Sequence, residues 1–151
     1  RNSVSIRVYD KRIIGCIEFM SDYFYFDKDG IIVESTSNKI DDIPQVKGLK
    51  FQKIALNEKL EVQKEELFDV ILNLTQQIEK YGLNVNTISF NNKYEVTLDC
   101  GDIKAKLGKR STYDEVLAKL KNIMNEVEGK KLTIDMTTGT DYFIAKPESE
   151  D

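Results

Sequence analysis

Apolar positions along the chain follow two periods, and each period predicts a different kind of element. Near the carboxyl end, apolar residues recur at steps of four and three, which places them on one face of an α-helix. This stripe consists of Tyr113, Leu117, Leu120, Met124 and Val127. A similar stripe, within Glu61 to Tyr81, consists of Leu67, Ile71, Leu74, Ile78 and Tyr81. Both are shorter than the heptad arrays of coiled coils, so we expect two amphipathic helices that pack on a sheet.

Local signals mark where these helices begin and end. Thr112 with Glu115, or Ser111 with Asp114, would form a reciprocal capping box at the start of the later helix. Gly82 and Gly129 follow the two apolar stripes and are typical helix stops, because glycine readily takes the left-handed conformation.

Alternation with period two predicts strands before, between and after the helices. The predicted strands lie around Val4–Val8, Ile13–Ile17, Tyr23–Phe26, Ile31–Val33, Ile88–Phe90, Tyr94–Leu98, Ile103–Leu107, Leu132–Met136 and Thr140–Ala145. Residues 35–51 form a polar connector with a small extended stretch at 43–48. This order predicts an α+β fold: a mainly antiparallel sheet, two amphipathic helices on one face, and an exposed C-terminal edge strand.

Two turns in this scheme have specific predictions. Asp27-Lys28-Asp29-Gly30 reads as a hairpin turn in which Gly30 supplies a positive φ, because its neighbours lack the ligands of a calcium loop. In the central meander, a three-residue loop from Asn91 to Lys93 would pair Phe90 with Tyr94 and Ile88 with Val96. An odd loop length places both apolar sets on the same face.

Composition narrows the range of functions. The 22 Lys and Arg residues against 26 Asp and Glu residues give a net charge of −4. This charge disfavours nucleic acid as a partner, and it also disfavours peripheral docking on anionic lipid. Histidine is absent, which removes histidine-dependent nucleophiles and most zinc enzymes. Cys16 and Cys100 read as buried apolar residues, although spacing leaves a disulfide open.

Few residues are candidates for chemistry, and we predict a protein that is not an enzyme and needs no metal or cofactor. Asp99 and Asp102 could imitate a glycosidase pair, but both lie at a predicted turn. Lys109 and Arg110 precede a helix start and could hold an anion, although capping is the simpler reading of that segment.

Five short motifs, in this order along the chain, resemble the extracytoplasmic β domain of the bacterial division proteins FtsQ and DivIB. They are the 25–32 hairpin, Ile43-Pro44-Gln45-Val46-Lys47-Gly48, the strand pair from Glu95 to Gly108, the helix that follows it, and Leu132-Thr133-Ile134-Asp135-Met136. The chain departs from the family at Thr137, where arginine is frequent, and at Tyr142-Phe143, where tryptophan is frequent.

The resemblance implies a domain layout and a location. Residues 1–17 would be the end of a truncated POTRA-like domain, 18–146 the β domain, and 147–151 an acidic tail. The parent protein would cross the cell membrane once, through an N-terminal helix missing here, and this fragment would lie on the extracytoplasmic side at the division septum.

The resemblance also implies a non-enzymatic scaffold that binds FtsB/DivIC-like and FtsL-like proteins and helps to regulate septal wall synthesis. The partner would add a strand beside the terminal strand, which agrees with the uncovered final edge that the pattern predicts. The partner-binding residues would be Thr138, Gly139, Thr140, Asp141, Tyr142, Phe143, Ile144 and Ala145. The alternatives are a wall-associated hydrolase domain using carboxylates, or an unrelated extracytoplasmic assembly module.

Alternation divides the terminal strand into two faces. One carries Thr140, Tyr142 and Ile144, and the other carries Asp141, Phe143 and Ala145. Composition does not decide firmly which of these two sets faces the helices, but placing Phe143 and Ala145 on the helix side would avoid burying Thr140.

Overall fold

A computed structural model describes residues 13–138 and 142–145, and in these residues nine strands form one sheet with two helices. The strands are β1 (Ile13–Phe19), β2 (Asp22–Asp27), β3 (Ile32–Thr36), β4 (Gln45–Lys47), β5 (Thr87–Phe90), β6 (Val96–Asp99), β7 (Ile103–Gly108), β8 (Leu132–Asp135) and β9 (Phe143–Ala145). The helices are α1 (Leu67–Lys80) and α2 (Asp114–Glu126). The fold is therefore α+β, as the pattern predicts.

The sheet is mixed, and the prediction of a mainly antiparallel sheet is wrong. Its strand order is β3-β2-β1-β4-β5-β6-β7-β8-β9. The pairs β1–β4, β4–β5 and β7–β8 are parallel. Parallel neighbours need a crossover connection, and α1 and α2 lie in the connections from β4 to β5 and from β7 to β8.

The short strand β4 accounts for two of the three parallel pairs. It lies inside the segment that the sequence indicates only as a polar connector with an extended stretch. In the structure it occupies the centre of the sheet, with Val46 opposite Ile88 of β5. Val46 is buried between more polar neighbours, so three residues supply too little alternation to identify a central strand.

One main core joins both helices to the sheet. It includes Ile71 and Leu74 of α1, Leu117 and Leu120 of α2, and sheet residues such as Leu98. A smaller cluster around Cys16, Tyr25 and Ile43 lies apart from this core. The predicted stripes thus identify the inner helix surfaces, although Ile78 and Met124 are only partly buried and Val116 and Ile123 of α2 are buried as well.

The helix starts differ from their predicted positions. The stretch before Leu67 is not helical, because Val62 pairs with Phe51 in an extended bridge. At α2 the capping box does not form, and Tyr113 is the residue before the helix. Tyr113 is buried, its hydroxyl donates to the Gly108 carbonyl (3.3 Å), and its N–H donates to Asn73 Oδ1 (3.1 Å). Thr112 Oγ1 still accepts the N–H of Asp114 (3.3 Å), so tertiary contacts and one local hydrogen bond together hold the start of α2.

The turn at Asp27–Gly30 forms as predicted, but the meander loop does not. Gly30 has φ 82°, and Asp27 Oδ1 accepts the N–H groups of Asp29 and Ile31. In the meander, Phe90 pairs with Val96 and Ile88 pairs with Leu98, so the loop has five residues rather than three. Both lengths are odd, and the apolar residues still share one face.

Several sequence predictions concern residues outside the described part of the chain. These are the strand at Val4–Val8, the POTRA-like segment before residue 13 and the acidic tail at 147–151. Strand β1 spans the predicted boundary between residues 17 and 18, and it is paired with β2 and β4 in the same sheet. Within the described residues, none of the helices has the length and apolar content needed to cross a membrane.

Candidate partner-binding edge

Among the residues that the structure describes, strand β9 is the last strand of the sheet and pairs on one side only, with β8. The pairing is antiparallel, with Ile134 opposite Ile144 and Asp135 opposite Phe143. Of the predicted partner-binding residues, Thr138 lies in the turn before β9, and Tyr142 leads into the strand. Gly139, Thr140 and Asp141 lie outside the described residues. The predicted edge strand is therefore present over its second half.

The backbone of β9 has a defined outward side. In β8, the N–H of Leu132 donates to Asp102 O (3.0 Å), and the N–H of Met136 donates to Lys106 O (2.8 Å). Even-numbered residues of β8 thus direct their polar groups toward β7, and odd-numbered residues direct theirs toward β9, because these directions alternate along a strand.

This alternation identifies the free backbone groups of β9. Asp135 and Phe143 form a pair that exchanges hydrogen bonds, as do Thr133 and Ala145. The N–H and C=O of Ile144 then point away from β8. By the same alternation, those of Tyr142 do too.

The side chains on the core-side face of β9 are not the set that composition slightly favours. Directly opposed residues of antiparallel strands project to the same face, and Ile134, opposite Ile144, is fully buried in the main core. Ile144, and with it Tyr142, therefore lies on the core-side face. Composition is a weak guide at this strand, because Tyr142 and Ile144 on the core-side face are themselves partly exposed.

The core-side face of the edge is partly open. Tyr142 is 38% exposed and Ile144 is 47% exposed, whereas Ile134 on the neighbouring strand is 0% exposed. The apolar surface of the sheet thus extends beyond the part that residues 13–138 cover. Outward backbone groups and exposed apolar side chains coincide at the same two residues.

Two polar side chains hold the start of the turn between β8 and β9. Asp135 Oδ1 accepts the N–H of Thr137 (3.0 Å) and its hydroxyl (2.6 Å), and these bonds hold the pKa of Asp135 below its usual value. Arg110 Nε donates to Leu107 O (2.9 Å), and its guanidinium also donates to Met136 O. Sequence reasoning missed both roles, although an Asp two residues before a Thr is a common turn signal.

The other edge of the sheet is partly covered. The first residue of β3, Ile32, donates its N–H to Glu58 O (3.0 Å) and accepts the N–H of Asn57 (2.7 Å). Ile31 also forms a bridge with Lys59. The start of β3 is therefore occupied by the chain itself, which distinguishes it from the outer side of β9.

The remaining candidates for chemistry have structural surroundings. Asp99 Oδ1 accepts the N–H of Gly101 (3.0 Å), which is a turn contact. Cys16 and Cys100 are free thiols, and burial raises the pKa of Cys16 to about 11 and that of Cys100 to about 12. Over the described ranges, no three or more Cys, Asp or Glu side chains are grouped as metal ligands would be.

A scan against protein-family models and a search of curated proteins found no match to this chain.

Proposed function

We propose that this chain is the extracytoplasmic β domain of an FtsQ/DivIB-type division scaffold, which binds FtsB/DivIC-like and FtsL-like partners by strand addition at β9. The observation that carries the proposal is the coincidence at Tyr142 and Ile144 of outward-pointing backbone groups and exposed apolar side chains. A partner strand beside β9 would form hydrogen bonds with these backbone groups and would cover these side chains. Edge pairing provides affinity through main-chain bonds, and the side-chain contacts provide specificity.

The arrangement of the helices supports the outer edge of β9 as the contact surface. Ile88, Phe90 and Leu98 belong to the core that contains both helices, whereas Thr87, Ser89 and Thr97 at the alternating positions are only half-buried and polar. We infer that both helices cover one face, and that the opposite face is polar along β5 and β6. An antiparallel pair at the end of such a sheet can be extended by a partner without repacking the core.

The proposal assigns no catalytic step to this domain. Residues 1–17 would be the end of a truncated POTRA-like domain, and the parent protein would be anchored in the cell membrane with this part at the septum. In this account, the domain acts by holding its partners and thereby helps to regulate septal wall synthesis. The choice of partners rests on the resemblance of the five motifs, and the mode of binding rests on the exposed edge of β9.

The experiment is a titration of the isotope-labelled chain with the soluble region of a DivIC-like protein. We expect the backbone amide signals of residues 142–145 and of the facing strand β8 to shift on binding. Amides of the β1–β2 hairpin, at the other end of the sheet, serve as the internal reference and should stay in place. Shifts confined to β2 and β3, or no binding at all, would contradict the proposal.

A further inference from the structure

Two lysine ammonium groups converge on one aromatic ring at the meander loop. Lys64 Nζ lies 5.3 Å from the centroid of the Tyr94 ring, and Lys109 Nζ lies 5.9 Å from it. Lys64 precedes α1 and Lys109 follows β7, so three segments distant in sequence meet at this ring. The fold therefore brings positive charge together at a place that no contiguous run of basic residues marks.

Further lysines surround the same loop. Lys50 Nζ lies 3.4 Å from Asn92 Oδ1, and the Lys50 carbonyl accepts the N–H of Gln63, next to Lys64. Lys93 is exposed in the loop itself. Within the loop, Glu95 accepts a hydrogen bond from Asn91 Nδ2 (2.8 Å). Lys50, Lys64, Lys93 and Lys109 thus all lie in or beside the loop.

The loop holds Tyr94 in a conformation that non-glycine residues rarely adopt. Its φ is 63°. Asn91 Oδ1 accepts the N–H groups of Lys93 and Glu95, each at 2.9 Å, and the Tyr94 N–H donates to Asn91 O (2.9 Å). Residues held in such sparsely populated conformations are concentrated at binding and catalytic sites.

The contacts within the chain leave these charges incompletely compensated. Among residues 13–138 and 142–145, the ion pairs are Lys28–Asp29, Lys59–Glu65 and Lys80–Asp114, and none of them involves Lys64 or Lys109. Glu65, the neighbour of Lys64, is paired with Lys59. A ring face attracts an ammonium group only weakly near the protein surface. A bound anion would compensate both charges more completely than the ring does.

We propose that Lys64 and Lys109, placed around Tyr94 together with Lys50, form a binding site for a phosphate-bearing polyanion. Lysine ammonium groups bind phosphate as point charges and need no fixed bidentate geometry. An extended polyanion could contact all three lysines at once, because its charges are distributed along its length. The site is on a different loop from the β9 edge and does not depend on the function proposed for that edge.

The test measures binding of inorganic polyphosphate by calorimetry at low and at near-physiological salt. The variant is Lys64→Gln/Lys109→Gln, and the matched control is Lys130→Gln/Lys131→Gln. Lys130 and Lys131 are exposed and precede β8, whereas Lys109 follows the parallel strand β7, so the two pairs lie at opposite ends of these strands. Both variants lose the same charge, and both should keep the wild-type melting temperature.

We expect wild type and control to bind alike, and the Lys64/Lys109 variant to bind at least about tenfold more weakly with a smaller dependence on salt. Equal losses in both variants would overturn the proposal, since general charge would then explain binding, and so would failure of the wild type to bind any probe. A second arm uses vesicles of phosphatidylglycerol mixed with phosphatidylcholine. Binding of vesicles that is lost only in the Lys64/Lys109 variant supports a lipid headgroup as the source of the phosphate, and binding of polyphosphate alone supports a soluble polymer.

Discussion

Gly48 follows the central strand β4, at a position where only a residue without a side chain fits. Its φ is 98°, and a Cβ placed on it would lie 2.1 Å from the Phe90 carbonyl oxygen. A side chain is therefore excluded both by backbone conformation and by contact with β5. Since β4 supplies two parallel pairings, the sheet order depends on this close approach.

We predict that Gly48→Ala lowers the free energy of unfolding by more than about 2 kcal/mol, through strain and steric displacement of Phe90. The matched control is Gly101→Ala. Gly101 also has a positive φ, 86°, but a Cβ placed on it would meet no atom within 4 Å beyond its own chain neighbours, so this variant should lose only about 1 kcal/mol. Urea unfolding measures both. Equal losses would show that the contact with Phe90 is unimportant.

The ends of the two helices are joined by a hydrogen bond whose strength depends on pH. The Tyr81 hydroxyl donates to Asp114 Oδ1 (2.7 Å), and Lys80 Nζ lies 3.6 Å from the same atom. The bond from Tyr81 holds the pKa of Asp114 below its ordinary value, and it raises the pKa of Tyr81. Because the folded-state pKa of Asp114 is lowered, its contribution to stability is complete above the unfolded pKa of about 3.9 and is lost as pH falls further.

We therefore predict that Tyr81→Phe lowers the melting temperature at neutral pH, and that the difference from wild type shrinks as pH falls below about 4. Thermal melts across the acid range measure it. In an Asp114→Asn background, the same substitution should have an effect that does not change with pH. A difference between wild type and Tyr81→Phe that stays constant down to about pH 2 would contradict this assignment.

At the scale of elements, the sequence pattern predicts which residues share a face better than it predicts which residues pair. Period-two alternation places Ile88, Phe90 and Val96 together whatever the odd length of the loop. The register depends instead on Asn91, whose side chain accepts two loop N–H groups and stabilises a five-residue turn. That contact involves a side chain and a specific backbone shape, and alternation carries no information about either.

We predict that Val96→Asp lowers the free energy of unfolding by several kcal/mol, because Val96 is 0% exposed and a buried carboxylate there would lack a partner. The control is Thr97→Asp, on the opposite, half-exposed face of the same strand, which should cost less than about 1 kcal/mol. Chemical unfolding monitored by circular dichroism distinguishes them. Similar values for the two variants would mean that the faces of β6 are assigned wrongly.

The same limit explains the errors at the terminal strand. Its existence, position and edge location follow from β-prone residues after the last helix. The face that each residue occupies depends on the register with β8, where Ile134 meets Ile144. Composition of a partly exposed strand is a weak guide, because neither face has to be fully apolar.

At the scale of the whole molecule, the sheet order could not be read from the sequence. Strands that are consecutive in the chain are neighbours in the sheet except for β3 and β4, because β4 inserts between β1 and β5 from a segment that resembles a loop. The three parallel pairs arise from that insertion and from the crossover through α2. Strand β9 lies at one end of this strand order, and the proposed function depends on that edge.

The most direct measurement is partner binding by single proline variants of β9, using the soluble region of a DivIC-like protein. Proline lacks an N–H and is tolerated on edges better than in paired positions. The N–H groups of Tyr142 and Ile144 point outward, whereas that of Phe143 points to β8, so the positions should respond differently. Tyr142→Ala keeps the N–H and serves as the side-chain control.

We predict that at least one of Tyr142→Pro and Ile144→Pro keeps its circular dichroism and a melting temperature near that of wild type yet loses binding. Phe143→Pro should instead lower the melting temperature, because it breaks the pairing with β8. Tyr142→Ala should lose less binding than Tyr142→Pro. If both Tyr142→Pro and Ile144→Pro are folded and bind like wild type, no partner strand pairs with this edge. That result would contradict the proposal that the partner binds by strand addition at β9.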